Sequence, residues 1–472
     1  MGRTPRRATT VAVTLMGAFV AFLDATIVNI AVPDMAASFP GASLDDLSWV
    51  LNAYNIVFAA LLMPAGRLAD RWGRRRSFLC GLALFTLASL GCALSGSVGL
   101  LTAARVVQAM GSALLVPTSL ALLLATYPGA RRARAVSLYG AVGAVASGVG
   151  PSLGGVFIDL SGWEWVFLVN VPVGVIALAV GLCTLTETRE PAGRPLPDLI
   201  GAVAVGVGVG ALSFGLVNGE SWGWTHGAVL AAFALTPAMA LVVVCRGSTH
   251  RAPVLDPALL RLRSFAVANV ASLIFSTGFF ATLLCNVLFL TDVWGYSALR
   301  AGLAVSPAPV AAALVALPAG RLAERFGYRP VVSAGTVLFG AGCALYATTV
   351  GSTPAFLSEW LPISLLTGIG VGMSLPPLTA AALSGVPSDH YAAASAANST
   401  ARQIGAVLGI TVLVVLTGTP APSALPAAMD DGWAFTTVTT ALALVAALAL
   451  APVTDPADGA PRTGRTLTDG RA

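Results

Sequence analysis

Long apolar stretches separated by short polar connections dominate the chain. Each stretch runs to about 20 residues, the length at which a helix rising 1.5 Å per residue crosses a hydrocarbon layer of about 30 Å. Fourteen such stretches are present. They lie at 10–33, 48–69, 77–95, 99–126, 134–158, 165–185, 198–217 and 227–245, and then at 265–290, 301–320, 331–350, 355–380, 393–417 and 433–453. The first follows Arg3, Arg6 and Arg7, as a signal peptide would. Its apolar run is too long for a signal sequence and lacks a clear small-residue cleavage site, so it reads as a retained membrane span.

Composition agrees with this pattern. Of 472 residues, 56% are hydrophobic and only 10% charged, with a mean hydropathy of +0.84. A soluble domain carries about 25% charged residues, so lipid must be the solvent for most of this surface. All 26 basic residues are Arg. Without Lys there is no phosphate-cradling G-x-x-x-x-G-K-[S/T] loop, which excludes an ATPase of that type. Cys80, Cys92, Cys183, Cys245, Cys285 and Cys343 stand singly in apolar stretches and read as small hydrophobes. His226, His250 and His390 are isolated. No metal site, cofactor site or nucleophile–base pair is expected, and the chain is read as a non-enzyme.

The arginines test the span count. Cytoplasmic loops hold the positive excess of a membrane protein. With the N-terminus inside, alternate connections and the tail collect 23 Arg, and the outer connections hold only Arg300. The outer connections are acidic instead, with Asp34, Asp45, Asp46, Asp159, Glu164, Glu220, Asp292, Glu359, Asp430 and Asp431. The expectation is a multi-pass protein of a bacterial inner membrane with both termini cytoplasmic. The formal charge of +5 is then a topology signal and not a nucleic-acid footprint.

A repeat divides the chain. Gly66-Arg67-Leu68-Ala69-Asp70-Arg71-Trp72-Gly73-Arg74 follows span 2, and Gly320-Arg321-Leu322-Ala323-Glu324-Arg325-Phe326-Gly327-Tyr328 follows span 10. Eight spans separate the copies where a six-helix duplication needs six, so spans 7 and 8 are an insertion. The expected organisation is an all-α polytopic protein: a six-helix bundle at 1–190, a two-helix insertion at 191–262, a second bundle at 263–453, and a disordered cytoplasmic tail at 454–472. Tandem halves of this kind place a binding site at the midplane between them.

Charges within a membrane are costly and functional by default. Asp24 in span 1 and Arg105 in span 4 fall at similar depths, roughly 13 and 9 Å from the outer end. They are expected to face each other, with a proton-coupling role set against a purely structural ion pair. Burial and a neighbouring guanidinium pull a carboxyl group in opposite directions, which suits a group that loads and releases a proton. Arg402 in span 13 either lines a cavity beside Asn398 and Gln403 or snorkels to the cytoplasmic interface, with the interface favoured. In the repeated loop, Gly66 and Gly73 permit a tight turn and Asp70 can bind Arg71, Arg74 or a helix N-terminus. With Gly320, Glu324, Arg325 and Gly327 of the second copy, these are the expected cytoplasmic gate. In span 5, Gly148, Gly150, Pro151, Gly154 and Gly155 are expected to pack against another helix backbone to backbone. Cavity candidates are Asn29, Asn52, Asn55, Gln108, Asn269, Phe279, Asn286 and Asn398, each of which also fits an interhelical hydrogen bond or core contact.

These elements together resemble the fourteen-helix drug:proton antiporters of the major facilitator superfamily, over nearly the whole chain. Leu23 to Pro33 resembles the first-helix motif, Gly66 to Arg76 the loop signature, Arg105-Val106-Val107-Gln108 the fourth-helix motif, Gly150 to Gly155 the fifth-helix antiporter motif, and Asn398 to Gly409 a stretch near the end. Ala146 and Ser137 stand where the antiporter motif has Gly, and Glu164 where Arg is usual. The resemblance implies a monomer that exports a small amphipathic compound by alternating access, driven by protons and needing no cofactor. Proton-coupled uptake of a sugar or metabolite is the first alternative, and a non-transporting membrane sensor the second.

Overall fold

The computed structural model describes residues 3–127, 132–187, 196–251, 253–386, 391–418 and 424–450. The tail at 454–472, the 190/191 junction, Arg131, Arg189, Arg194 and His390 lie outside them. The apolar runs fold into fourteen long helices: α1 Arg3–Ile27, α2 Leu44–Trp72, α3 Arg74–Ala93, α4 Val98–Thr126, α5 Arg132–Ser161, α6 Asn170–Thr184, α7 Leu199–Trp222, α8 Gly227–Thr249, α9 Arg263–Leu288, α10 Pro307–Phe326, α11 Tyr328–Thr349, α12 Leu361–Leu383, α13 Tyr391–Thr417 and α14 Leu425–Leu448. Among the described residues thirteen stretches are long and apolar enough to cross a membrane. The 30-residue α5 coincides with the remaining predicted span. Helix order places the Arg-bearing connections at one end of the bundle and the acidic ones at the other.

Local chemistry sets the helix ends. Ser43 and Asp46 form a reciprocal capping box at the start of α2, and Ser97 accepts from Leu100 N–H at the start of α4. The repeated loop differs from its sequence reading. Arg67 to Trp72 are helix-compatible and continue α2, so Gly66 makes no turn. The turn is made by Gly73 at φ 110°, and in the second copy by Gly327 at φ 92°, a region open mainly to glycine. Each donates back to the helix it ends, to Ala69 O and to Ala323 O, both at 2.9 Å.

Helices α1–α6 and α9–α14 form two bundles. They meet where α2 packs against α13 and where α5 packs against the short helix Ala298–Val305 that leads into α10. At the acidic end a single apolar cluster crosses between the bundles, joining Leu23, Ile27, Val50 and Leu51 to Leu284, Leu288, Ile410 and Leu413. It includes an aromatic group in which Phe289 and Trp433 have ring centroids 4.7 Å apart and Tyr346 and Trp360 4.8 Å. At the arginine-rich end the larger clusters stay within one bundle: Phe78, Phe85 and Leu115 in the first, Phe275, Phe339 and Leu378 in the second. The interior is sealed at the acidic end and loosely joined at the other.

The inserted pair sits outside this frame. Helix α7 lies against α2 and α13; Gly206 approaches Ala60, and Ser213 accepts from Thr411 at 3.2 Å. Helix α8 packs almost entirely on α7 and leaves most of its surface to lipid. Just before the span, Asp198 caps α7 through Gly201 N–H at 2.9 Å and pairs with Arg246 at the end of α8, also at 2.9 Å. Burial opposes the Asp198 charge, but the Gly201 N–H and the Arg246 guanidinium together hold its carboxyl below the usual range.

A carboxyl lowered on folding stabilises the fold above its unfolded range, near about pH 4, and loses that effect as the pH falls through the lower folded value. Asp198→Ala is therefore expected to cost about 1–2 kcal/mol at neutral pH through the lost cap and ion pair. Thermal unfolding in detergent should show this deficit unchanged between pH 5 and 8 and shrinking below about pH 4.

Candidate functional site: a buried ion pair between five helices

Asp24 and Arg105 meet in the first bundle. Arg105 Nη1 lies 2.6 Å from Asp24 Oδ2, with the side chains 2% and 0% exposed. Two charges so far from water persist only if their other polar atoms are also satisfied, and here the surroundings supply this. Arg105 donates from Nε to Val50 O at 3.1 Å and from Nη1 to Gln108 Oε1 at 2.6 Å. Gln108 donates to Asp24 Oδ1 at 2.9 Å and to Ser89 Oγ at 2.8 Å. Asn170 donates to Asp24 Oδ1 at 3.3 Å. The guanidinium carbon lies 4.1 Å from the centroid of the Tyr54 ring, and Tyr54 donates its hydroxyl proton to Ser112 at 2.8 Å. Helices α1, α2, α3, α4 and α6 thus converge on one carboxylate.

The spacing within α4 makes this possible. Arg105 and Gln108 are three residues apart and share a helix face, so one helix presents a cation and an amide to the same carboxylate. The sequence reading contained Asp24, Arg105 and Gln108. It missed Asn170, Ser89 and Tyr54. Only Asn170 had a signal, as an amide just before Val171-Pro172 at the start of an apolar run.

The small residues of α5 lie against two partners. Gly150 and Gly154 face Thr26 and Ile27 of α1 and Ile30 in the 3-10 turn that follows it. Gly155 faces the backbone of Ala298 and Leu299, and Gly302 approaches the carbonyl of Pro151 in return. Gly148 is nearest to Pro309, and Ser152 bonds to Ser306. Asp159, missed as a site residue, joins the bundles at this end by accepting from Ser297 Oγ at 2.7 Å and Leu299 N–H at 3.2 Å.

The two loop copies differ. In the first, Asp70 pairs with Arg74 at 2.9 Å, while Glu187 beyond α6 accepts the Arg75 and Arg76 N–H groups at the start of α3, at 3.1 and 3.3 Å. An anion at a helix N-terminus is favourable, and Glu187 occupies that place while Asp70 binds the side chain. Arg71 lines a surface recess with Trp72, Arg76 and Cys80. In the second copy, Glu324 is exposed and makes no ion pair among the described residues, Arg325 stands over Phe326, and Gly320 faces open space.

The remaining candidates are spread through the interior. Asn29 donates to its own helix at Ala25 O and Thr26 O. Asn52 donates to Thr411 at 3.1 Å, across the bundles. Asn55 is 8% exposed and makes no hydrogen bond among the described residues. Asn398 donates to Asn269 Oδ1 at 3.3 Å and Ser272 Oγ at 3.0 Å and accepts from Thr379 at 3.2 Å. Asn286 accepts from Trp433 Nε1 at 2.9 Å within the aromatic group, and Phe279 stands edge-on to Phe280. Arg402 is not at the interface. It lies eleven residues into the 27-residue α13 with its Nε buried, because that helix begins well before it and turns the side chain inward.

Breaking the pair from either side leaves an uncompensated charge, which typically costs about 3–5 kcal/mol. Asp24→Asn and Arg105→Gln are each expected to lose stability on that scale. The double variant should lose clearly less than the sum, as read by unfolding in detergent.

Comparison with known proteins agrees with this arrangement. A family model described as the Major Facilitator Superfamily matches residues 14–410, with a second match over 268–468. The multidrug resistance protein Stp of Mycobacterium tuberculosis is 35% identical over 407 residues, covering 86% of this chain and 74% of its own. The methylenomycin A resistance protein of Streptomyces coelicolor is 34% identical over 404 residues, covering 85% and 83%. The drug efflux pump JefA of Mycobacterium tuberculosis is 31% identical over 432 residues, covering 91% and 84%. Among solved structures, a POT family transporter in complex with 5-aminolevulinic acid superposes with a TM-score of 0.67 at 17% identity, covering 92% and 95%, a likeness of fold. With fourteen helices, two facing bundles and relatives that align along most of its length, the chain is an integral membrane protein of the major facilitator superfamily, in the branch of its drug:proton antiporters.

Proposed function

We propose that the protein exports small amphipathic compounds across a bacterial inner membrane in exchange for protons, with both termini and the arginine-rich end in the cytoplasm. The observation that carries the reading is the carboxylate of Asp24, shielded from water and tied to Arg105, Gln108 and Asn170. The relatives' names, a multidrug resistance protein, an antibiotic resistance protein and an efflux pump, support export over uptake.

The proposed cycle follows from the chemistry of that network. Protonating Asp24 removes its attraction for Arg105, so the guanidinium is held by Val50 O, Gln108 Oε1 and the Tyr54 ring. Arg105 then leaves a cation unbalanced between α1, α2 and α4, and those helices shift relative to one another. Helix α1 also carries Thr26 and Ile27, and leads into the 3-10 turn that holds Ile30, against which Gly150 and Gly154 pack. A movement of α1 is therefore passed to α5 and to its seam with Ala298–Val305. In this arrangement the seam is closed and the arginine-rich end is the loosely joined one, the state that admits substrate from the cytoplasm. A proton crossing 100 mV releases about 2.3 kcal/mol for each charge moved, which drives the cycle without ATP.

The test is proton flux in proteoliposomes with an imposed pH gradient, an internal pH dye and a panel of lipophilic drugs. Wild type is expected to give drug-dependent flux, and Asp24→Asn to reduce it at least tenfold. Flux that survives the substitution would move the coupling site elsewhere, and a wild type without drug-dependent flux would overturn export of that class.

A further inference from the structure

Helix α13 holds a second charge in the interior, and this one has no ion-pair partner among the described residues. Arg402 stands about 16 Å into Tyr391–Thr417 at 1.5 Å per residue, close to the helix midpoint. Its Nε is buried without a hydrogen-bond acceptor, and no ion pair among the described residues includes it. Arg105, the other cation at membrane depth, is neutralised by Asp24.

The direction of Arg402 follows from its helix. Ile404, Leu408, Val412 and Val415 are half-exposed at spacings of four, four and three, one stripe of a helix facing lipid. Arg402 precedes Ile404 by two residues, about 200° around the helix, and so lies off the Ile404 line, on the inner flank that it shares with Asn398. Farther along that inner side, Ile410 and Leu413 are sealed into the cluster with Leu23 and Ile27. At Arg402 and Gln403 the inner side is only partly covered, where the bundles separate toward the arginine-rich end. One turn earlier, Asn398 has its amide fully engaged by Asn269, Ser272 and Thr379, which fixes how α13 faces α9 and α12. Beside this anchored turn, Gln403 Oε1 and Ser276 Oγ are buried without partners.

We propose that Arg402 is the anchor of an anion subsite, and that the compounds exported are amphipathic monoanions of the carboxylate type. A part-buried guanidinium whose Nε has no acceptor is costly, and no carboxylate of the described protein relieves it. A ligand carboxylate does so through two parallel N–H···O bonds. The inference rests on the export reading for what happens after binding; binding itself is independent of it.

The probe is pyrenebutyrate against its neutral amide, pyrenebutyramide, with binding to the purified full-length protein read by tryptophan-to-pyrene energy transfer at pH 7. Wild type is expected to favour the acid by at least about tenfold, the scale of a charge-assisted hydrogen bond. Arg402→Gln should abolish that preference while leaving amide binding unchanged, and Arg402→Lys should keep part of it. Arg402→Gln should also unfold at the same or a higher temperature than wild type, opposite to the loss of a structural ion pair. A wild type without preference for the acid overturns the proposal with no variant needed. So does a preference that survives Arg402→Gln, or a variant that weakens acid and amide alike. An Arg402-dependent preference without gradient-driven efflux of pyrenebutyrate leaves the subsite standing and counts against the export reading alone.

Discussion

A carboxylate and a guanidinium cannot stay charged in an apolar interior unless nearly all their polar atoms are engaged. The first bundle is arranged around that constraint. Asp24 is reached from α4 by Arg105 and Gln108 and from α6 by Asn170, while α2 offers Val50 O and the Tyr54 ring to the guanidinium. Four helices are thereby held at fixed rotations by a single charge pair, and α3 joins them through the bond from Gln108 to Ser89. Any event that changes the charge on Asp24 alters the reason those helices face one another, and on the proposed function that is how one proton would acquire leverage over a whole bundle.

The leverage has a route. Helix α1 supplies Asp24 and, a turn or two later, the surface on which Gly150 and Gly154 of α5 rest. Helix α5 in turn presses Gly155 against Ala298–Val305 of the second bundle. Contacts without side chains tolerate little adjustment, because a small displacement either separates or overlaps two backbones. The closed acidic end and the divided apolar clusters at the other end fit one state of a two-state device. Among the described residues the second bundle has no counterpart of the ion pair. Its interior charge is Arg402 on α13, which makes no ion pair among the described residues; on the proposed reading the first bundle handles the proton and the second the compound.

Much of this was legible in the sequence. Run lengths and the alternation of Arg-rich with acidic connections gave the span count, since each wrong span would reverse every later loop. Asp24 and Arg105 could be paired because charges at membrane depth are few and helix rise converts position into depth. Other features were hidden for physical reasons. Ser89 and Tyr54 are ordinary neutral residues among many, and nothing in their spacing marks a shared carboxylate. Asp159 reaches Ser297 only because the bundles meet there, a relation no local pattern encodes. Gly66 was read as a turn because it opens the loop signature, yet the residues after it all favour helix and the break waits for Gly73. Arg402 was placed at the interface because its long side chain can reach one; the extent of α13 and the direction of its face decide otherwise.

The central claim is that Asp24 exchanges its proton in step with ligand binding. It is tested most directly by the change in bound protons when a compound binds to the purified protein in weakly buffered solution, followed with a pH dye and repeated with Asp24→Asn. The account predicts exchange of up to about one proton per compound bound by wild type and none by the variant, with binding itself retained. An equal change in both proteins would contradict it and remove Asp24 from the coupling step.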